Sequence, residues 1–553
     1  MRRLTAAFAA ALVLLTPAAA QARPRHNPVS ASFADTFADP MVVRGDDGFW
    51  YAYATSDPLR EGEKVVHHIP TARSRDLANW DYVGDAFGAG QRPAFAAENT
   101  TFWAPDVRKT GDHWVMYVTV TETTVAPGAS AIGAATAPTP AGPWTFVDTP
   151  VVAPRPSGDG GWLWTFDPAR LTTPDGHEYL YYGSYFGGIW VSELSADGLR
   201  TVGTATRVAV DNKFEGAYVV RRNGWYYLFA SSANCCAGPT TGYSVSAGRS
   251  RDPRGPFVDK AGLSLNVSRA GGTPVIAPNG DRWVGTGHNG LVTDDHGQDW
   301  LVYHAIDRRD PYLDEPFGIN ERPMLINRLD WIGGWPTVRA GSGREPRPGR
   351  ALPAYSDEFG GRALARAWTF VRPDPAASVS GGALRWPVQN ADLTGTSNNA
   401  GVLLRAAPPG SWIAETKLTL DLGEDTVRNY QQAGLIAYVG DDEFARLSAV
   451  AIWNTRQVEF GHEIPYAGAT SYGGNIAGTP GRTTTWLRLA YHVDPRNGEH
   501  EYRAGVSRDG RTWTWGGVWT LPATTTPRIG LVAHGGATPA VTASFDYLRF
   551  SRW

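Results

Sequence analysis

Short apolar runs rich in Val, Tyr, Trp and Phe recur along the chain, broken by Gly, Pro, Asn and Asp. Runs of that kind between turn-forming residues predict β-strands. The segment FEGAYVVRRNGWYYLFAS, residues 214–231, holds one complete unit. A Val-Val strand leads to Asn223-Gly224, and Trp225, Tyr226 and Tyr227 open the return strand. Asn-Gly between apolar runs is a strong hairpin signal. A carboxylate, Glu215, stands just ahead of the first strand, and its presence before so apolar a hairpin needs a reason.

The hairpin has relatives in the same chain. ADPMVVRGDDGFWYAYATS begins at Ala38, and FDPARLTTPDGHEYLYYGS begins at Phe166. In all three a carboxylate lies nine residues before a glycine of the turn: Asp39 to Gly48, Asp167 to Gly176, Glu215 to Gly224. Two shorter copies, APDVRKTGDHWVMYVTV and TPVIAPNGDRWVGTG, run six residues from Pro105 to Gly111 and from Pro274 to Gly280. Residues 242–257 and 297–307 supply later strands. Repeated β units of this size predict a five-bladed β-propeller, followed here by more β structure. In such a fold the first strand of each blade lines the central axis, so the three carboxylates should meet in one funnel.

Residues 339–354, RAGSGREPRPGRALPA, lack periodicity and read as a linker. Beyond it, GVLLRAA, WIAETKLTLDL, YQQAGLIAYVG, RLSAVAIW and TWLRLAYHV predict strands of a two-sheet β-sandwich (jelly-roll) over 355–553. The last strand, in ASFDYLRFSRW, should close it beside an early one. The fold class is therefore all-β: a propeller at 33–338, then a sandwich.

Composition agrees, with 22 Trp and 22 Tyr beside 63 Gly and 40 Pro. A charged fraction of 19% and a formal net charge of −3 leave no basic stripe for nucleic acid. Arg2 and Arg3, the apolar LTAAFAAALVLL and the small residues of AAAQA predict a signal peptide over 1–22, hence a secreted, extracellular protein. No later stretch is long and apolar enough for a membrane span. A monomer is expected. The two cysteines are neighbours, Cys235 and Cys236. A bridge between them would be strained and local, and two reduced loop thiols are the equal alternative.

Three acids on one wall raise one another's pKa. A neutral carboxyl beside an ionised one is what glycosidic hydrolysis needs. Alone, Asp39 or Asp167 before proline is ordinary turn chemistry; three acids at one offset point to a site. The apolar neighbours of Glu215 should keep it protonated.

ADPMVV, FWAPDV, FDPAR, FEGAYVV and DWLVYHA together resemble glycoside hydrolase family 43 over residues 33–338. SANCCAGPTTGYSVSAGRS with GTGHNG is similar to its arabinan-acting members. The resemblance implies a five-bladed propeller that hydrolyses by inversion, with Asp39 as general base, Asp167 as pKa modulator and Glu215 as general acid. It implies cleavage of α-L-arabinofuranosyl linkages in a polysaccharide or oligosaccharide, with no cofactor required for the chemistry. His304 could ligate a structural Ca2+ at the axis or be a core histidine. Trp103 and Trp164 are sugar platforms or core residues, His288 and Asn289 funnel residues or turn residues, and Arg322 a candidate substrate contact. Asp106 is assigned to structural hydrogen bonding.

YSDEFGGRALARAWTFV and YQQAGLIAYVGDDEFARL resemble the concanavalin-like sandwich of some family members. The acids of GDDEF, 440–444, read better as a solvated loop than as a calcium site. A β-xylosidase of the same family is the nearest alternative. A retaining fructosidase is disfavoured because Gly216 follows the acid where that family carries Cys. A non-catalytic sugar-binding propeller would have lost one of the three carboxylates.

Overall fold

The computed structural model describes residues 26–314, 318–338 and 345–553. The expected signal peptide at 1–22 and residues 339–344 of the expected linker lie outside the described residues. Among the described residues, no helix is long and apolar enough to cross a membrane.

Five four-stranded units, antiparallel within each, follow one another as a five-bladed propeller, and a parallel bridge from Ser244 to Thr286 joins the last two. Blade I comprises Met41–Arg44, Trp50–Tyr53, Pro70–Ser74 and Asp81–Asp85. Blade II comprises Phe102–Thr110, His113–Val120, Ala131–Ala137 and Thr145–Phe146. Blade III comprises Ala169–Thr172, Glu178–Tyr182, Ile189–Leu194 and Thr201–Ala209. Blade IV comprises Phe214–Arg222, Trp225–Ser232, Ser244–Ser250 and Thr273–Ile276. Blade V comprises Trp283–Thr293, Asp299–Asp307, Met324–Ile332 and Trp335–Val338.

The order corrects one expectation. TPVIAPNGDRWVGTG does not open the fifth unit, because Thr273–Ile276 pairs with Ser244–Ser250 as the outermost strand of blade IV. The innermost strand of blade V is Trp283–Thr293, paired with Asp299–Asp307. Prolines suit an edge strand, where no ladder partner needs their missing N–H.

Side chains of alternate parity fill the spaces between blades. Val42, Trp50 and Ala52 of blade I pack with Trp300, Val302 and Ile326 of blade V. The amino-terminal segment seals that junction: the Val29 N–H donates to the Met324 carbonyl at 2.9 Å and the Phe37 N–H to that of Arg322 at 2.9 Å. The circle is thereby closed by residues from opposite ends of the propeller.

Residues 369–552 build two facing sheets, of seven and eight strands. Thr542–Phe545 pairs with Ala383–Pro387, and Arg549–Arg552 with Trp412–Thr419, so the last strands close the sandwich beside early ones. Trp386, Trp412, Phe460 and Phe545 fill its core, which extends to Val284 and Ile306 of blade V. Full burial of each such ring is worth about 2–3 kcal/mol.

The sandwich lies directly against blades IV and V. A Cβ on Gly242 would stand 1.9 Å from the Gly474 carbonyl oxygen, so glycine is required for this approach. Beside it the buried Asn475 amide donates to the Gly242 carbonyl at 3.1 Å and to Ser244 at 2.9 Å. In GDDEF, Asp441 is paired with Arg372 at 2.7 Å and accepts from Tyr438 at 2.6 Å. Cys235 and Cys236 are bonded to each other, with Cα atoms 3.8 Å apart.

Candidate active site

At the mouth of each innermost strand one residue adopts the left-handed conformation: Asp39 at φ 53°, Ala104 at 45°, Asp167 at 57°, Gly216 at 58° and His288 at 46°. In blades II, IV and V this residue lies inside a bulge, where pairing skips between Trp103 and Asp106, Glu215 and Tyr218, and Gly287 and Gly290. A bulge bends the strand and re-aims the neighbouring side chains. Four of these five residues carry a Cβ in a region that L-residues rarely occupy, and such strain gathers at functional sites.

The backbone thus corrects the expectation that all three acids are equivalent. Asp39 and Asp167 occupy the same position in their blades, but that position in blade IV is Gly216, and Glu215 precedes it. The shared nine-residue offset arises because blade IV has a longer strand and the tight turn Arg222–Trp225, whereas blade I turns from Arg44 to Trp50. The fourth residue nine positions before a turn glycine is His288, ahead of Gly297, in GHNGLVTDDHGQ. That spacing, read against DWLVYHA rather than TPVIAP, would have located blade V.

A hydrogen-bonded ring joins these positions. Thr55 of blade I accepts from the Ala104 N–H at 2.9 Å, and Thr119 of blade II from the Asp167 N–H at 3.0 Å. Ser231 of blade IV accepts from the His288 N–H at 2.9 Å. His304 of blade V accepts at Nδ1 from the Asp39 N–H at 3.1 Å. Only the step from blade III to blade IV differs. There the Gly216 N–H donates to the Asp167 carboxylate at 2.9 Å, which leaves the Ser184 hydroxyl to donate to Glu215 at 3.0 Å. The broken step sits where two carboxylates face each other.

Asp39 is the most heavily partnered of the acids. Thr55 donates to its Oδ2 at 2.6 Å. His288 Nδ1, His304 Nδ1 and Arg322 Nη1 stand 3.2, 3.2 and 3.4 Å from its Oδ1. Burial alone would raise its pKa, but the Arg322 guanidinium and then the two imidazoles hold it well below the usual range. Glu215 behaves oppositely: burial first, and then the Asp167 charge, push it up to about 7. Asp167 is itself raised, chiefly by burial. Asp39 is therefore held toward its ionised form and Glu215 toward its protonated form.

Arg322 also reaches Asp57, at 3.4 Å, so it is tied to two carboxylates. Burial, partly offset by Arg322, raises Asp57 to about 6. Tyr243 hydrogen-bonds Glu215 and stacks on His304, with rings 5.6 Å apart and 10° from parallel. A Cβ on Gly287 would lie 2.0 Å from the Tyr243 ring, so a glycine there admits the tyrosine. Thr55, Asp57, Ser184 and Tyr243 carry no spacing signal of their own, although a hydroxyl residue does stand at or just past the end of four of the second strands.

The remaining expected residues divide. Trp103 and Trp164 are 39% and 38% exposed, too open to be core. Trp164 stacks on Phe166, next to Asp167, at 5.1 Å, and Trp103 meets the same ring edge-on at 5.7 Å. Asn289 is buried and is not among the partners of the three acids. Asp106 is structural, bonded to Arg108 at 3.0 Å and to the Arg170 N–H at 2.8 Å.

His304 turns one ring nitrogen to Asp39 and leaves the other for the structural Ca2+ expected at the axis. Nδ1 lies 3.1 Å from the Asp39 N–H and 3.2 Å from the Asp39 Oδ1, and the buried Nε2 has no hydrogen-bond partner among the described residues. Among the described residues, no group of three His, Cys, Asp or Glu side chains is placed to hold a metal. No step below uses one.

One carboxyl held toward its ionised form and another toward its protonated form, at a propeller mouth rimmed by exposed tryptophans, suit a glycosidase. The model of the glycosyl hydrolases family 43 matches residues 25–336, and the chain belongs to that family. It is 31% identical over 326 residues to the extracellular exo-α-(1→5)-L-arabinofuranosidase ArbA of Cellvibrio japonicus, covering 54% of this chain and 85% of the relative. It is 27% identical to the extracellular endo-α-(1→5)-L-arabinanase 1 of Bacillus subtilis, covering 60% and 95%. A solved Cellvibrio cellulosa α-L-arabinanase complexed with arabinohexaose is 28% identical, with a TM-score of 0.47 over 56% of this chain and 96% of that one.

Proposed function

We propose that this protein is a secreted, inverting glycosidase that cleaves α-L-arabinofuranosyl linkages in arabinan or arabinose-bearing polysaccharide. The observation that carries the chemistry is the meeting of acids from blades I, III and IV at one mouth, with Asp39 held down and Glu215 pushed up. Glu215 donates its proton to the glycosidic oxygen as the bond breaks. Asp39 accepts a proton from the water that attacks the anomeric carbon from the other face. Its Oδ2 is oriented by Thr55, and its Oδ1 by Arg322 and His288, so the lone pair is held in place before substrate arrives.

Asp167 acts through Glu215. Its charge raises the pKa of the acid, and its bond to the Gly216 N–H fixes the bulge from which Glu215 projects. The arabinan-acting relatives support the choice of sugar, and the export-type leader supports secretion.

Product analysis on linear arabinan, arabinoxylan and nitrophenyl pentosides tests the substrate. Release of arabinose or arabino-oligosaccharides is expected, and turnover of xylosides alone would overturn it. Proton NMR of the first product tests the stereochemistry. The β-anomer should appear before mutarotation, and initial retention of the α-anomer would sink the single-displacement mechanism.

A further inference from the structure

Exposed aromatic side chains are not confined to the propeller. On its rim, Trp103, Phe166, Trp164 and Phe186 form a chain of ring contacts, the last pair 4.7 Å apart, and Tyr185 adds to it at 5.4 Å from Phe186. Tyr185 is bound into the site, since its N–H donates to the carbonyl of Phe214, the neighbour of Glu215, at 3.1 Å. Its own carbonyl accepts from the Asn212 N–H at 2.6 Å. Asn212 and Asp211 then bond across the seam to Asn454 of the sandwich, at 2.6 and 2.7 Å.

Two sandwich aromatics stand at this junction. Tyr430 is 51% exposed and Trp453 44% exposed. They lie side by side: the Trp453 N–H donates to the Asn429 side chain at 2.7 Å, and the Tyr430 N–H to the Ala451 carbonyl at 2.7 Å. Both adopt the left-handed conformation, at φ 70° and 49°. Trp453 owes it to the two-residue turn that joins Glu443–Ile452 to Thr455–Tyr466, and its ring stands in solvent there. The Tyr185 phenol is pushed up to about 12 by burial and by Glu215, Glu459 and Tyr430, so groups of both units act on one ring.

We propose that the sandwich carries the far end of the sugar cleft, with Tyr430 and Trp453 as stacking platforms for pentosyl units distant from the bond being cleaved. The assignment rests on the arabinan-cleaving function proposed above. Flat ring faces suit the apolar faces of furanose rings, and stacking on them needs no fixed pattern of hydroxyls. The sandwich then serves chain length rather than bond breaking.

Steady-state kinetics of the full chain on α-1,5-arabino-oligosaccharides of two to six units, and on nitrophenyl α-L-arabinofuranoside, test this. In the double variant Tyr430→Ala with Trp453→Ala, the hexaose to nitrophenyl ratio of kcat/KM should fall about tenfold, mostly through KM. The loss should grow with chain length, and Tyr430→Phe with Trp453 intact should retain the wild-type ratio. The ratio is independent of how much of each preparation is folded. A ratio unchanged in the double variant, or equally reduced at every length, overturns the assignment. Wild-type protein that turns over xylosides and no arabinoside would instead refute the substrate reading, and this inference with it.

Discussion

Each half of the molecule carries an Asp–His–Arg cluster, and only the one in the propeller joins residues of separate blades. In the propeller, Asp39 meets His304 at 3.2 Å and Arg322 at 3.4 Å. In the sandwich, Asp392 meets His534 at 3.1 Å, and Arg446 bonds the other nitrogen of that ring at 2.9 Å. Burial pushes both histidines down to about 4. Both aspartates are held low, Asp392 at about 2 because His534 overcomes the burial that would raise it. Each cluster even has a raised glutamate nearby, since burial lifts Glu463 to about 7.

A shifted pKa therefore does not mark a catalytic site by itself. In the sandwich, Arg446 and Glu463 lie on paired strands of one sheet, and Arg446 is also bound to Tyr472 at 2.8 Å. In the propeller the acids come from blades I, III and IV and meet at a mouth rimmed by exposed rings. The sandwich charges are paired within one sheet, whereas the propeller charges are brought together from separate blades.

The comparison can be broken most decisively by amide substitutions. Asp39→Asn and Glu215→Gln should each lower kcat/KM by about 10³–10⁴-fold with folding retained. Asp392→Asn should lower the melting temperature and leave kcat/KM of the folded protein within about twofold. Turnover near wild type in either propeller variant would remove the catalytic assignment.

A smaller effect separates the two raised glutamates by pH. The folded state binds the Glu215 proton more tightly than the unfolded chain does. Stability linked to it is full below the usual Glu range and is lost as pH rises through about 7. Glu215→Gln should therefore melt higher than wild type at pH 8 and no higher near pH 4, by calorimetry. Glu463→Gln should show the same stability signature. Only the propeller group should govern the rate, with wild-type kcat/KM falling above about pH 7 as Glu215 ionises. An alkaline limb that moves in Glu463→Gln would erase the distinction.

The smallest expected effect concerns hydrogen bonding to the acid. The Tyr243 bond favours the ionised form of Glu215, so Tyr243→Phe should move the alkaline limb to higher pH. Tyr472→Phe in the sandwich should leave that limb in place.

Much of this architecture is legible in the chain. Asn223-Gly224 sets a hairpin and Gly48 and Gly176 mark two more turns, because only certain residues tolerate positive φ at little cost. Asp39, Asp167 and Glu215 could be identified as converging acids because repeats of equal length superpose when a chain closes into blades. The fifth unit was misplaced because Thr273–Ile276 resembles an inner strand by composition but pairs at an edge. The equivalence of Glu215 failed because a bulge and a tighter turn cancel in a residue count and not in space.

The sequence by itself determined the strand-and-turn units, their repetition and the acids that each mouth carries, since these follow from side-chain period and local dihedral preference. Tertiary structure alone decided which acid is charged. Arg322 reaches Asp39 across 283 positions of chain, and Asp167 faces Glu215 only because blades III and IV meet. Burial and the nearest charges set a proton's free energy, and neither is a property of neighbours in sequence.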